Sequence, residues 1–164
     1  MMDEETLCAR CAASGATCCQ GRRVFLTGND VKRIAEASGF GDFSVSAGSD
    51  EEERREIDRL DPVFARVFDT EGKRRVLRHA AGTEDCVFLG ANGCGLALEV
   101  RPLLCRLYPY DYDAATIKGV YAHLCPEPER SFPALLLALL GMNRDAAEQW
   151  RKQLYEEIVD EFPV

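Results

Sequence analysis

The sequence has few of the residues and motifs that mark the common enzyme classes. Only two histidines and one tryptophan occur among its 164 residues. It has no Gly-rich phosphate loop, no G-x-S-x-G elbow and no H-E-x-x-H helix, which argues against the nucleotide enzymes, serine hydrolases and zinc proteases built on them. The longest apolar run, Ala134 to Leu140, is far shorter than the roughly 20 residues that cross a bilayer. We therefore expect no membrane partner.

The start of the chain has no secretory character. Met1 to Thr6 is acidic and carries neither a basic segment nor an apolar one, so we expect a cytoplasmic protein with reduced thiols. The formal net charge of −8 makes duplex nucleic acid an unexpected partner. A local basic cluster is predicted to form a solvated face of a strand or turn. It consists of Lys73, Arg74, Arg75 and Arg78.

Length and composition predict one domain that spans residues 1–164. With 46% hydrophobic residues, the chain can bury a core without disulfides. The cysteine-cluster region covers about residues 8–126, and a helical part is predicted at about 131–161. The expected fold class is α+β, a small domain in which cysteine-rich loops and short β-hairpins are enclosed by helices.

The first segment has no pattern of regular secondary structure, whereas the first predicted helix has clear end signals. Residues 1–23 show no helical or strand period, so we predict a loop that a metal folds. Thr27 and Asp30 then form an N-cap pattern. It predicts a helix over about residues 28–38, which Gly39 ends in the left-handed conformation.

The middle of the chain predicts a second helix and then strands. Ser49 and Glu52 form the N-terminal signal of that helix, and Pro62 should kink or split it. Strands are predicted at residues 75–80 and 86–89. A turn at Asn92-Gly93, a short helix that begins at Pro102, and a hairpin of residues 107–112 and 117–124 follow.

The last third of the sequence is helical in pattern. Pro133 starts a short helix that Gly141 ends, and Asn143 caps a longer helix that reaches about residue 161. Spacing by four predicts one buried stripe on that helix, with its tryptophan in the core. The stripe comprises Ala146, Trp150, Leu154 and Ile158.

Eight cysteines are the dominant chemical feature of the sequence. They are the candidate metal ligands: Cys8, Cys11, Cys18, Cys19, Cys86, Cys94, Cys105 and Cys125. The C-x-x-C spacing lets two thiolates from one turn bind the same ion or cluster iron, so we expect Cys8 and Cys11 to share a site. Buried free thiols, and disulfides in an exported protein, are the alternatives. We favour metal because the C-x-x-C and the adjacent pair occur together.

The adjacent pair, Cys18 and Cys19, is harder to assign. In extended backbone, neighbouring side chains point to opposite sides. We therefore expect the two thiols either to divide between neighbouring sites or to serve as one ligand and one packed thiol. Eight cysteines suffice for two four-thiolate sites, and they divide in sequence into an N-terminal four and a central four, but the sequence does not assign the ligands.

The cofactor that these thiolates predict is zinc or an iron–sulfur cluster. Both accept four thiolates, and the spacing does not separate them. Four thiolates around a divalent ion leave an excess of negative charge that nearby cations must offset. The candidates are Arg10, Arg22, Arg101 and Arg106. We favour Arg101 and Arg106, because the short helix at Pro102 should hold both near Cys105.

Several stretches together carry a resemblance to a known family. They are Cys8-Ala-Arg-Cys11 with Cys18-Cys19, Asp85-Cys86-Val-Phe-Leu89, Gly93-Cys94, Arg101-Pro-Leu-Leu-Cys105-Arg-Leu-Tyr108-Pro109 and Cys125-Pro126. In these stretches, over roughly residues 8–126, the chain resembles the YkgJ-type cysteine-cluster proteins, a zinc- or iron-chelating family named for a CxxCxxxxCC motif. Here six residues rather than four separate Cys11 from Cys18. The segment from Cys94 to Arg101 is one residue longer than usual and lacks a tyrosine.

The resemblance implies metal chelation and leaves an enzymatic alternative open. Some relatives in the wider group are flagellin lysine N-methylases, so the alternative is an iron–sulfur or zinc-dependent enzyme, either redox or similar to a protein-lysine N-methylase. His123, two residues before Cys125, could ligate metal, but we expect it to be exposed. The sequence has no signal for a methyl-donor pocket.

Overall fold

The computed structural model describes residues 6–125 and 128–164. It confirms the predicted α+β class, because short antiparallel hairpin sheets lie among α-helices. The helices are α1 (Leu7–Ser14), α2 (Gly28–Ser38), α3 (Glu51–Leu60), α4 (Leu103–Leu107), α5 (Pro133–Leu139) and α6 (Arg144–Glu161). The strands are β1 (Ser44–Gly48), β2 (Lys73–Leu77), β3 (Leu89–Gly90), β4 (Gly93–Cys94), β5 (Tyr110–Tyr112) and β6 (Ile117–Val120). They pair as β1 with β2, β3 with β4, and β5 with β6.

Helix α1 replaces much of the loop predicted at the start of the chain. Residues 1–5 of that prediction lie outside the described residues, but the C-x-x-C segment is helical, so the prediction is wrong there. Thr6 caps α1 by accepting a hydrogen bond from the Ala9 N–H at 3.2 Å, and Gly15 ends it with φ of 73°. An eight-residue helix is too short to show a clear period, so its caps are the only local signal.

Helix α2 has the predicted bounds because its end signals are complete. The Thr27 hydroxyl accepts from the Asp30 N–H at 3.0 Å, and the Asp30 carboxylate accepts from the Thr27 N–H at 3.2 Å. Gly39 ends the helix with φ of 64°. Asp30 also accepts a hydrogen bond from the Leu103 N–H at 3.2 Å, so this buried carboxylate joins the start of α2 to the start of α4.

Helix α3 begins at a cap one residue beyond the predicted one. Asp50 accepts from the Glu53 N–H at 2.8 Å. Ser49 is buried instead, with its N–H bonded to the Gly72 carbonyl at 3.1 Å. The predicted split at Pro62 is confirmed, since α3 ends at Leu60 and a separate 3₁₀ turn follows at Phe64–Val67.

Two of the three hairpins match the sequence patterns. The turn signalled by Asn92-Gly93 joins β3 to β4, with Gly93 as the first residue of β4, and β5 pairs with β6 over a shorter stretch than predicted. The strand predicted at 75–80 is β2 at 73–77, whereas the strand predicted at 86–89 is wrong, because residues 87 and 88 lie in a turn and β3 begins only at Leu89. The partner of β2 was missed, because β1 is composed of serine, valine, alanine and glycine with no marked alternation.

Three residues of the basic cluster are exposed or half-buried, and the fourth, Arg74, is buried. Arg74 is 8% exposed, and its guanidinium lies over the Phe68 ring at 4.9 Å, so the prediction of a solvated face is wrong for this residue. The other three bind carboxylates, in the pairs Lys73 with Glu71, Arg75 with Glu161, and Arg78 with Asp42.

The C-terminal helices follow their predicted ends, but the buried stripe of α6 is rotated. Leu154 and Ile158 are buried as predicted, whereas Ala146 and Trp150 are only half-buried. The remaining buried positions of α6 are Ala147, Arg151 and Tyr155. The spacing-by-four pattern missed them because an arginine and a tyrosine there provide part of the inward face.

Three clusters of buried side chains form the core. The first gathers α4, α6 and the β5–β6 hairpin around Phe25, the second lies around Phe43 between α2 and the β3–β4 hairpin, and the third joins Leu7 of α1 to α5. Leu104 packs against the first two clusters, and Val120 against the first and third. Each fully buried large apolar side chain, such as Phe25 or Phe43, adds about 1.5–3 kcal/mol to the free energy of unfolding.

Arg151 ties α6 to the turn between β5 and β6. It is 5% exposed, and its guanidinium donates to the Glu148 carboxylate at 2.8 Å and to the Asp113 and Ala114 carbonyls. We expect Arg151→Met to lower the free energy of unfolding by about 1–3 kcal/mol, because two partly buried carbonyls and the Glu148 carboxylate lose their donor. Urea unfolding measures this. Lys152→Met is the control, since its side chain is exposed, and equal losses in the two variants would contradict the assignment.

Candidate metal centre

Helix α1 places Cys8 and Cys11 on one face, three residues apart. Cys8 is half-buried and Cys11 is buried. The helix packs closely on β4, because a Cβ atom built on Gly93 would lie 2.9 Å from the Cys8 Cβ. Gly93 precedes Cys94, so this contact brings the C-x-x-C helix to the central cysteines.

The adjacent cysteines lie in a turn rather than in extended backbone. The Gln20 N–H bonds to the Thr17 carbonyl at 3.4 Å, and the Cys19 N–H bonds to the Thr17 hydroxyl at 3.0 Å. The Cys18 and Cys19 thiols are hydrogen-bonded to each other. The expectation that they point apart is therefore wrong, because its premise of extended backbone does not hold.

Backbone bonds dock this turn on the segment before β3. The Cys86 N–H donates to the Cys19 carbonyl at 3.0 Å. Beside it, the Gln20 side chain donates to the Asp85 carboxylate at 2.7 Å. The Gly21 N–H also donates to the Glu84 carbonyl at 2.9 Å. These contacts bring an N-terminal cysteine and a central cysteine together.

The remaining cysteines come from the β3–β4 hairpin, α4 and the segment after β6. The predicted short helix is confirmed as α4, which carries Cys105, and Pro102 stands at its N-cap. Cys86, Cys94 and Cys105 pack against the second core cluster. Cys125 is buried with the third cluster, which includes Leu7 of α1.

Cysteines of the N-terminal and the central part of the sequence therefore lie near one another. Cys8 interacts electrostatically with Cys19, Cys94 and Cys125. Cys86 and Cys105 both interact with Cys19 and Cys94. Cys19 and Cys94 thus neighbour thiols of both sequence groups.

The cysteines are thiols, without the geometry of a closed site. Over residues 6–125 and 128–164, no group of three or more His, Cys, Asp or Glu side chains is arranged to hold one ion. Metal–thiolate bonds of about 2.3 Å are much shorter than the packing contacts of neutral side chains. Ligation of one metal by several of these residues therefore requires the thiols to close in.

Local electrostatics favour ionisation of the Cys19 thiol. The hydrogen bond from Cys18 lowers the pKa of Cys19 to about 6 against the effect of burial, and Arg22 and Arg101 lower it further. The same hydrogen bond, together with burial, raises the pKa of Cys18 well above its usual range. Burial raises the pKa of other thiols as well, to about 11 for Cys86 and about 12 for Cys105.

The four arginines predicted to offset thiolate charge have different partners in the structure. Arg22 and Arg101 interact with cysteines. Arg106 is buried, and its guanidinium donates to the Arg101 and Glu99 carbonyls, so the preference for Arg106 is wrong. Arg10 forms an ion pair with Glu129 at 2.7 Å.

Both histidines have contacts that the sequence did not reveal. His123 is exposed, as expected, and its ring stacks on Tyr121 with centroids 4.3 Å apart. The His79 Nε2 lies 3.0 Å from the Arg22 carbonyl oxygen. The contact between Tyr108 and Arg22 was not predicted, although the ring centre lies 4.6 Å from the guanidinium carbon. No local sequence pattern predicts this contact, because residues 22 and 108 come together only in the folded chain.

Comparison with known proteins gives a family match over most of the chain. The family model named CxxCxxCC, described as a "Putative zinc- or iron-chelating domain", matches residues 7–126. The matched range contains all eight cysteines. No curated protein and no solved structure matches the chain.

Proposed function

Because the chain belongs to the CxxCxxCC family of zinc- or iron-chelating domains, we propose that it binds a metal ion or cluster through its cysteine thiolates. The single observation that carries this proposal is the convergence of cysteines from separate elements. The α1 helix packs on β4 where Gly93 meets Cys8, and the Cys86 N–H donates to the Cys19 carbonyl at 3.0 Å. Cys8 also interacts electrostatically with Cys19, Cys94 and Cys125, although long stretches of chain separate them. Chance packing of isolated thiols does not account for such a cluster.

The proposed ligands are drawn from all eight cysteines. Cys19 and Cys94 are central to the set, because each neighbours thiols from both sequence groups. Thiolates are soft donors that select zinc or iron–sulfur clusters over hard cations such as magnesium. The donor chemistry therefore fits either of the two proposed cofactors.

Zinc and an iron–sulfur cluster would supply different chemistry at this place. Zinc bound by four thiolates would close the N-terminal helix and turn onto the hairpin and α4, as a structural site. A cluster would in addition carry electrons. Either cofactor requires reduced thiols, and for this reason we place the protein in the cytoplasm.

Spectroscopy and elemental analysis of one sample decide between the two metals. Protein purified without oxygen is analysed for zinc and iron, and its visible absorption and paramagnetic resonance spectra are recorded. A colourless sample with stoichiometric zinc supports the structural site, and a brown sample with iron and charge-transfer absorption supports the cluster. Metal retained equally when Cys19 and Cys94 are both changed to serine would contradict the proposed ligands.

A further inference from the structure

Two arginines beside the cysteines have no carboxylate partner among residues 6–125 and 128–164. Arg22 and Arg101 are both half-buried. No Asp or Glu oxygen of the described residues forms an ion pair with either guanidinium. A cation withdrawn from water loses solvation that only a nearby anion or hydrogen-bond acceptors restore. In the proposed metal centre, the metal-bound thiolates are the anionic groups near these two arginines.

Arg22 is held next to the cluster by an aromatic ring. Its guanidinium carbon lies 4.6 Å from the centre of the Tyr108 ring. The Tyr108 hydroxyl in turn accepts a hydrogen bond from the Leu124 N–H at 3.1 Å, so the ring is fixed in place. From this position the charge acts on Cys19 in the turn and on Cys105 of α4.

Arg101 is fixed at both its backbone and its side chain. Its Nε donates to the Leu96 carbonyl at 2.9 Å. Its own carbonyl accepts from the Arg106 Nε at 2.9 Å and from the Arg33 guanidinium at 3.2 Å. The positive charge of Arg101 acts on Cys8 of α1 and on Cys19. Both guanidiniums are therefore preorganised rather than recruited by the metal.

We propose that Arg22 and Arg101 are the counter-cations of the metal centre and that they set its affinity for a negatively charged metal–thiolate unit. This inference rests on the proposed function. Four thiolates around a divalent ion leave an excess of two negative charges, which two guanidiniums balance. Groups that surround a metal site in this way typically change its affinity by about 10–100-fold when they are removed.

The test titrates the metal-free, reduced full-length protein with Zn²⁺ in competition with a chromogenic chelator. We expect Arg22→Gln and Arg101→Gln each to raise the dissociation constant by about tenfold or more. Arg22→Lys and Arg101→Lys keep the charge and should bind more tightly than the matching Gln variants. The Lys variants also keep the test valid if a Gln variant fails to fold.

Arg23→Gln is the matched control. It removes the same charge one residue away, but Arg23 is exposed and donates to the Gly48 carbonyl at 2.5 Å, at the end of β1. We expect this variant to bind Zn²⁺ as the wild type does. If both Gln variants bind Zn²⁺ with wild-type affinity, the inference is overturned and the proposed function stands. The same conclusion follows if the Lys variants bind Zn²⁺ as weakly as the Gln variants. A wild-type protein that binds no Zn²⁺ and carries no iron as purified overturns both.

Discussion

Gly93→Ala should lower the free energy of unfolding by about 2–5 kcal/mol and reduce the metal content of the purified protein. Gly93 has φ of 95°, a conformation that side chains with a Cβ rarely adopt. The added Cβ would also lie 2.9 Å from the Cys8 Cβ and 3.1 Å from the Cys8 carbonyl oxygen. Backbone cannot move aside like the end of a flexible side chain, so α1 and β4 must separate. Denaturant unfolding and elemental analysis of the same preparation measure the two effects.

Gly82→Ala separates backbone strain from the contact with Cys8. Gly82 also has a positive φ, 73°, but an added Cβ would have no atom within 4 Å. This variant should lose about 1–2 kcal/mol and keep its metal. If Gly93→Ala loses no more stability than Gly82→Ala and retains full metal, then the approach of α1 to β4 does not position the metal centre.

Cys11→Ser should loosen the N-terminal segment while leaving the C-terminal helix intact. Helix α1 has eight residues, fewer than the roughly 12–15 that an isolated helix needs, and its buried residues are Leu7 and Cys11. Metal-binding energy therefore becomes folding energy for this segment. We expect amide exchange over residues 6–23 to speed up by about tenfold or more, with protection in α6 unchanged. Trypsin should cleave faster at Arg10, Arg22 and Arg23.

Ala13→Ser is the control for this variant. Ala13 lies on α1 with its side chain exposed, so the change adds a hydroxyl to the same helix without touching a thiol. Its exchange and cleavage rates should match those of the wild type. Equal rates in Cys11→Ser and Ala13→Ser would show that Cys11 contributes no metal bond that orders the segment.

Elements with strong end signals could be predicted from the sequence. Helix α2 carries both halves of a capping box at Thr27 and Asp30 and a glycine in the left-handed conformation at its end, all of which are local. The cap of α6 at Asn143 is likewise local. Helix α1 was missed because eight residues fit barely two turns, and β1 was missed because its pairing with β2 is its main stabilisation.

The candidate site could be predicted only as a list of residues. The sequence identified the eight cysteines but treated Cys18 and Cys19 as extended, whereas hydrogen bonds from the Cys19 and Gln20 N–H groups to Thr17 fold them into a turn. The choice among the arginines depends on tertiary contacts, since Arg106 turns to backbone carbonyls and Arg22 meets the Tyr108 ring. No sequence period encodes contacts over such separations.

The most direct test of the central claim counts metal and reactive thiols in the same anaerobic sample. The wild-type protein is analysed for zinc and iron and then titrated with a thiol reagent, before and after denaturation in the presence of a chelator. The account predicts bound zinc or iron, fewer than eight reactive thiols in the native protein, and all eight after metal removal. A folded protein that carries no metal and whose eight thiols all react freely would contradict it.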